Sequence, residues 1–199
     1  MDQRTQTESP PNMDPISPAD FRIYNRLAEQ MEIIHNGFRA AWTELKTACS
    51  PSPSPPQFST PFPPTRGDSD DADSEIILLG LSFCSGLSSH HSIEERYIFP
   101  LLADRMPEFA AGGVLMAQHE VIHDGLVRLG AYLRGCERYL DRGEDGWRLD
   151  RGVLRGLLEG KDGEFERVLW EHLDWEVELL RPERLRRVWG VEEVRRFAL

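Results

Sequence analysis

Six histidines occur in the chain, and five of them, His35, His90, His119, His123 and His172, fall where apolar residues recur every three or four positions. His90 is followed four residues later by Glu94, His172 by Glu176, and His119 by His123 at the same interval. Residues four apart share one face of a helix, so each pair can present two donor groups to a point between neighbouring helices. A lone core imidazole is ordinarily satisfied by a backbone carbonyl. Seven polar side chains on inward faces would instead cost far more than the few kcal/mol by which a domain is stable, unless something compensates them. Metal ions would do so. Imidazoles and carboxylates without a thiolate suit iron, manganese or zinc, and the nitrogen-rich balance leans towards iron. Seven donors also exceed what one tetrahedral zinc can use. Two six-coordinate ions offer about 12 positions; five imidazoles, two bridging carboxylates and a bridging oxide or hydroxide would fill all but one. The vacancy would admit end-on binding of a small molecule such as dioxygen, nitric oxide, azide or peroxide.

These side chains require helices to position them. Ser17, Pro18 and Asp20 form a helix-start signal, and the first element is predicted to run to about Ala48 with Met31, His35, Phe38, Trp42 and Leu45 inward. A second is predicted from about Ser74 to Asp104, with Ile76, Phe83, Leu87, His90, Glu94, Tyr97 and Leu101 on one face. A third, about Val114 to Leu140, carries Leu115, His119, Ile122, His123, Leu126, Gly130 and Leu133 inward, before the turn-rich DRGEDG at 141–146. A fourth, within Asp150 to Leu180, carries Phe165, Leu169, His172, Glu176 and Leu179, with Gly160 and Gly163 positioned to break its first turns. Two short helical pieces are expected around Arg184–Val188 and Val191–Phe197. Four long amphipathic segments without a strand-like run indicate an all-α helix bundle.

Two stretches are poor in core-forming residues: 1–17, and the Pro-, Ser- and Asp-rich 50–74. The expected organisation is a disordered tail over 1–17, then a single domain over 18–199 interrupted by a disordered linker at 50–74. With 23 Lys+Arg against 34 Asp+Glu the net charge is −11, which disfavours nucleic acid as a partner. No run of about 18 apolar residues is evident, and the polar start lacks the apolar core of a secretory signal. The expectation is therefore no membrane span and an intracellular, cytoplasmic protein. Cys49, Cys84 and Cys136 are too few and too scattered for a disulfide framework or a Cys-x-x-Cys zinc site. Nothing in the sequence marks a protein partner.

Four segments in order, His35, then HHSIEERYIFPLL at 90–102, HEVIH at 119–123 and HLDWEVELLRP at 172–182, carry a resemblance to the hemerythrin-like, or HHE, cation-binding domains over about residues 18–182. The resemblance implies an up-down four-helix bundle holding a non-haem di-iron centre, two iron ions (Fe2+/Fe3+) with a bridging oxo or hydroxo group. It also implies metal ligation by His35, His90, Glu94, His119, His123, His172 and Glu176, with Glu94 and Glu176 bridging. Oxygen-carrying hemerythrins place an Asp five residues after the last-helix His. Here that position is Val177 and the carboxylate is Glu176, a spacing that resembles the wider group of sensors, iron-handling proteins and enzymes. The expected function is reversible coordination of dioxygen or a similar small ligand at an open iron position, in binding, sensing or storage. The alternative is a di-iron oxygenase or oxidase activating dioxygen or peroxide towards a small organic substrate, distinguished by a cavity of about 300 Å³ or more beside the centre.

Three other readings use the same residues. His91 with Glu95 has the spacing of His90 with Glu94, but Phe83, Leu87, Tyr97 and Leu101 place 90 and 94 inside and leave 91 and 95 at the flank. A ferritin-like carboxylate site would use Glu32 with His35, Glu120 with His123, Glu94 and Glu176, and would leave His90, His119 and His172 without a role. His119-Glu120-Val121-Ile122-His123 is literally an HExxH zinc-hydrolase motif, with no marked third ligand.

Overall fold

The computed structural model describes residues 15–50, 66–142 and 148–197; residues 1–14, 51–65, 143–147 and 198–199, with most of the expected tail, linker and DRGEDG turn, lie outside the described residues. No strand occurs among the described residues. The long helices are α1 (Pro18–Ala48), α2 (Arg66–Ile93), α4 (Val114–Asp141) and α6 (Glu164–Leu179), with short helices α3 (Phe99–Leu102), α5 (Arg151–Glu159), α7 (Pro182–Leu185) and α8 (Val191–Arg195). α2 packs against α1 and α4, and α6 against α4 and α1.

Local chemistry accounts for most boundaries. The Ser17 hydroxyl accepts from the Asp20 N–H at 3.1 Å, and Pro18 needs no donor in the first turn. Asp150 caps α5 by accepting from the N–H groups of Gly152 and Val153, both at 2.9 Å. Between α5 and α6 the backbone turns left-handed at Gly160, Asp162 and Gly163 (φ 75°, 54° and 74°), so the expected fourth helix is two helices joined by a sharp break. α2 starts at Arg66, earlier than the expected Ser74 and inside the predicted linker. Its Asp73 is buried, accepts from the Leu149 N–H at 2.9 Å and pairs with Arg151 at 2.5 Å, which ties the early part of α2 to the start of α5.

One local irregularity bears on the site. Between α2 and α3, residues Glu94–Ile98 form a π-helical turn in which the Phe99 N–H reaches back to the Glu94 carbonyl. Pro100 supplies no N–H to the ladder and its ring crowds the preceding turn, so the helix widens immediately before it. The extra residue rotates everything downstream. Ile98, Phe99 and Leu102 are buried, whereas Tyr97 is 59% exposed and Leu101 lies at the surface. The expected inward positions of Tyr97 and Leu101 are thus corrected by the register shift that Pro100 introduces.

The buried apolar residues form two clusters. One includes Trp42, Leu45, Phe83, Leu87, Ile122, Leu129, Phe165 and Leu169; the other includes Tyr24, Met31, Phe99, Leu102, Leu115, Leu179 and Leu185. Running along α1 the chain passes from the second cluster to the first, along α2 and on through the π-helical turn into α3 from the first to the second, along α4 back again and along α6 back once more. A layer of buried polar side chains lies at each crossing: His35, then His90, His91 and Glu94, then His119, then His172 and Glu176. The helical run Ala72–Leu102 is long and apolar enough to cross a membrane by length and composition, contrary to the expectation from inspection of apolar runs. It also carries three members of this polar layer and packs on α1 and α4, as a core helix does.

Candidate metal centre

Seven buried side chains converge in two groups that share one carboxylate. His35, His90, Glu94 and Glu176 form one group; His91, Glu94, His119 and His172 form the other. Within each, the candidate donor atoms all lie within 4.8 Å of one another.

On α2, both His90 and His91 reach inward because they flank the axis of the apolar stripe, about 60° to one side and 40° to the other of Leu87, while Glu94 sits close to the axis. The two spacings read from the sequence as competing registers are therefore compatible. On α4, His119 already lies about 40° from Leu115, and a further four residues carry His123 to about 80°, beyond the buried stripe. His123 is exposed and belongs to neither group. The structure thus brings together six of the expected residues, His35, His90, Glu94, His119, His172 and Glu176, and places His91 rather than His123 with them. Glu32 and Glu120 are exposed, so neither the ferritin-like set nor the HExxH pair is assembled.

The hydrogen bonds reveal which ring nitrogens face the centre. His35 Nδ1 lies 3.0 Å from the Leu173 carbonyl; a carbonyl only accepts, so Nδ1 carries the proton and Nε2 points inward with its lone pair. His119 Nδ1 donates to the Glu95 carboxylate at 2.8 Å, and His172 Nδ1 to the Gln118 side-chain oxygen at 3.3 Å. Their Nε2 atoms consequently face each other, lone pair to lone pair, at 3.1 Å. His35 and His90 Nε2 stand 3.0 Å apart, and His90 Nε2 is 2.8 Å from Glu94 Oε1. Glu94 Oε2 is 3.5 Å from His119 Nε2, and Glu176 Oε2 is 3.5 Å from His35 Nε2 and 3.7 Å from His172 Nε2. Adjacent ligands on an octahedral ion at about 2.1 Å are separated by about 3.0 Å, close to the nitrogen spacings here.

Protonation states agree. Burial lowers the pKa of all five inward imidazoles, His35 to about 3 and His91 and His172 well below the usual value, with neighbouring histidines adding to the effect at every one but His90, where Glu176 opposes it. Neutral imidazole is the state that donates to a metal. Burial pushes the Glu94 carboxyl up to about 8, and burial together with the Glu94 charge pushes Glu176 well above the carboxylate range. Both oxygens of each carboxylate, and His91 Nε2, are buried without a hydrogen-bond partner. Orphaned buried acceptors beside converging lone pairs are what a bound cation relieves, so the residues fit a metal centre.

Sequence periodicity leaves His91 and Glu95 at the flank of α2, as groups that support the ligands or face solvent, and does not single out Gln118. The signal was available for His91, since a broad stripe accommodates positions 90, 91 and 94 together. Glu95 shares the four-residue spacing with His91, whereas Gln118 precedes an inward residue by one position and carries no periodicity of its own.

An all-helical chain with buried histidines and carboxylates grouped in this way defines a metal-binding helical bundle. The chain belongs to the hemerythrin HHE cation-binding domain family, whose family model matches residues 64–183; that span includes six of the seven grouped side chains and leaves His35 outside it. No curated protein and no solved structure matches the chain.

Proposed function

We propose that this chain is a non-haem di-iron protein that binds two irons and coordinates dioxygen or a similar small ligand at one open position. The observation that carries the reading is the pair of donor groups sharing Glu94, with inward lone pairs held by outward N–H bonds to Leu173, Glu95 and Gln118. We retain six of the ligands proposed from sequence and put His91 in place of His123; Glu94, which belongs to both donor groups, would be shared between the two ions, whereas Glu176, expected to bridge as well, belongs to one group. An up-down bundle over 18–199 supplies the frame, a topology supported by the alternating order in which the long helices run between the two apolar clusters. When bound, the ions would supply a redox-active Lewis-acid pair for a small ligand. The chain's own contribution is geometric and electrostatic: neutral imidazoles present nitrogen, two carboxylates offset the ionic charge, and Leu87, Leu126 and Trp42 help exclude water. The three cysteines are free and buried, which suits the cytoplasmic setting we propose.

A specific observation favours the second reading, an oxidoreductase acting on a small organic substrate. A cavity of about 400 Å³ reaches His90 and Glu94 from the α1 side, large enough for more than a diatomic ligand. Metal content and the absorption spectrum of aerobically purified protein, before and after adding azide, test the proposal. About two irons per chain with near-ultraviolet bands that shift with azide are expected. A single zinc, or a folded chain without metal affinity, would overturn it.

A further inference from the structure

We propose that the cavity between α1 and the junction of α2 with the π-helical turn binds a small, uncharged, apolar organic molecule and holds it against His90 and Glu94. Any chemistry on that molecule rests on the di-iron reading; its binding does not.

The cavity's volume of about 400 Å³ lies within the range of small-molecule sites. Leu27 and Met31 form its buried wall and Ile98 lies against it from the π-helical turn. Its mouth is lined by Ile33, Ile34 and Ile93, of which Ile33 is 72% and Ile93 54% exposed. Branched aliphatic side chains clustered in water on two adjacent helices are costly where nothing covers them. The polar lining consists of Gln30 and, from the metal centre itself, His90 and Glu94.

That lining selects for charge. No Lys or Arg lines the cavity, so an anion would shed its hydration without gaining a partner and would approach the Glu94 carboxylate. An aliphatic chain gains from every methylene it buries, and the exposed Gln30 side chain can hydrogen-bond a single hydroxyl or carbonyl head. On the other side of the centre, a pocket of about 450 Å³ is lined by Ser88, Ser92, Glu95, Glu120 and His123 together with Met116 and Leu126, a mixed surface with far more polar groups for water and ions. The two approaches to one buried centre thus differ in chemistry, and the apolar one is sized for an organic guest.

The test titrates 1-butanol, 1-pentanol and 1-hexanol into the full chain, metal-loaded and chelated, with ligand-observed NMR and thermal melting as readouts and hexanoate as the charged control. Saturable binding should tighten about fourfold per added CH2, with hexanoate at least about tenfold weaker than 1-hexanol. Ile93→Trp and Ile34→Trp, which fill the mouth from different helices, should each abolish binding while leaving metal content unchanged. In the loaded protein, 1-hexanol should also perturb the absorption bands. Absence of saturation, equal affinity for hexanoate, or unchanged affinity in both tryptophan variants would overturn the inference. So would a concentration-dependent dimer that excludes the alcohol, since the occupant would then be a second copy of the chain. A protein that loads metal but binds no alcohol defeats this inference and leaves the di-iron reading standing; one that binds alcohol but takes no metal does the reverse.

Discussion

Replacing Glu94 by Gln should move metal retention and metal-free stability in opposite directions. The substitution keeps the shape of the side chain shared by both donor groups and removes its proton chemistry. In the metal-free fold, burial raises the Glu94 carboxyl from 4.5 to about 8, so between those values the folded chain holds a proton that the unfolded chain releases. A raised acid pKa stabilises below the unfolded value and loses that stability as pH climbs through the folded one. At about 1.4 kcal/mol per pH unit, the cost to the metal-free wild type is about 2 kcal/mol at pH 6 and about 4–5 kcal/mol at pH 8.5, upper bounds because relaxation softens the burial of a charge. The amide of the variant has no proton to lose. With a Tm change of about 2–4 °C per kcal/mol for a chain of this size, chelated Glu94→Gln should melt above chelated wild type by about 5 °C at pH 6 and about 10–15 °C at pH 8.5. Added metal reverses the order at pH 6 and narrows the gap to about 2 kcal/mol at pH 8.5, because a site filled at 100 times its Kd contributes about 2.7 kcal/mol to the wild type and little to the variant. Calorimetry of chelated and loaded samples at both pH values, with elemental analysis, reads all of these quantities. A Tm gap that does not widen with pH, or full metal content in the variant, would refute the reasoning.

Other perturbations separate the roles assigned to neighbouring residues. His91→Ala should lower metal content measurably, whereas His123→Ala should leave metal content unchanged and stability within about 0.5 kcal/mol; the opposite pattern in elemental analysis would return His123 to the centre. Glu95→Gln weakens the acceptor for His119 Nδ1 and should reduce metal affinity about 10–100-fold, measured by chelator competition. The buried imidazoles oppose Glu94 in their pH dependence: with His35 lowered to about 3, the unfolded chain takes up protons first as pH falls below about 6.5. Urea titrations of the chelated protein should therefore show stability greatest near pH 6–7 and falling on both sides. Gly125→Ala would drive a methyl group into the Phe165 ring where α4 meets α6 and should cost about 1–3 kcal/mol in chemical denaturation.

The helical frame was readable in outline because each long element buries a stripe of period 3.6, and the residues expected inward on α1, α4 and α6 are mostly buried. The break at Gly160 and Gly163 was legible for the same reason that it exists, since both adopt positive φ. The end of α2 was not. Tyr97 and Leu101 continue the α-helical pattern on paper, and nothing in that pattern reports that Pro100 opens a π turn beforehand. At the centre, His123 and His91 exchange places because a rule of four-residue spacing follows a line that drifts across a helix, whereas burial follows a band around the stripe's axis. His123 drifts out of the band on α4, and His91 lies within it on α2.

The division of the apolar core into two clusters by a polar layer bears on how the molecule unfolds. α1, α4 and α6 each contribute to both clusters, and α2 reaches the second through the π-helical turn and α3, so without a cation the halves of the bundle meet across facing lone pairs. Cooperativity across such a seam is weak, and each half can open as its own foldon. A metal bound there becomes a transverse rivet through four helices. Hydrogen exchange should then show two separately melting halves in the chelated chain and one all-or-none unit in the loaded one, which makes unfolding cooperativity itself a reporter of occupancy.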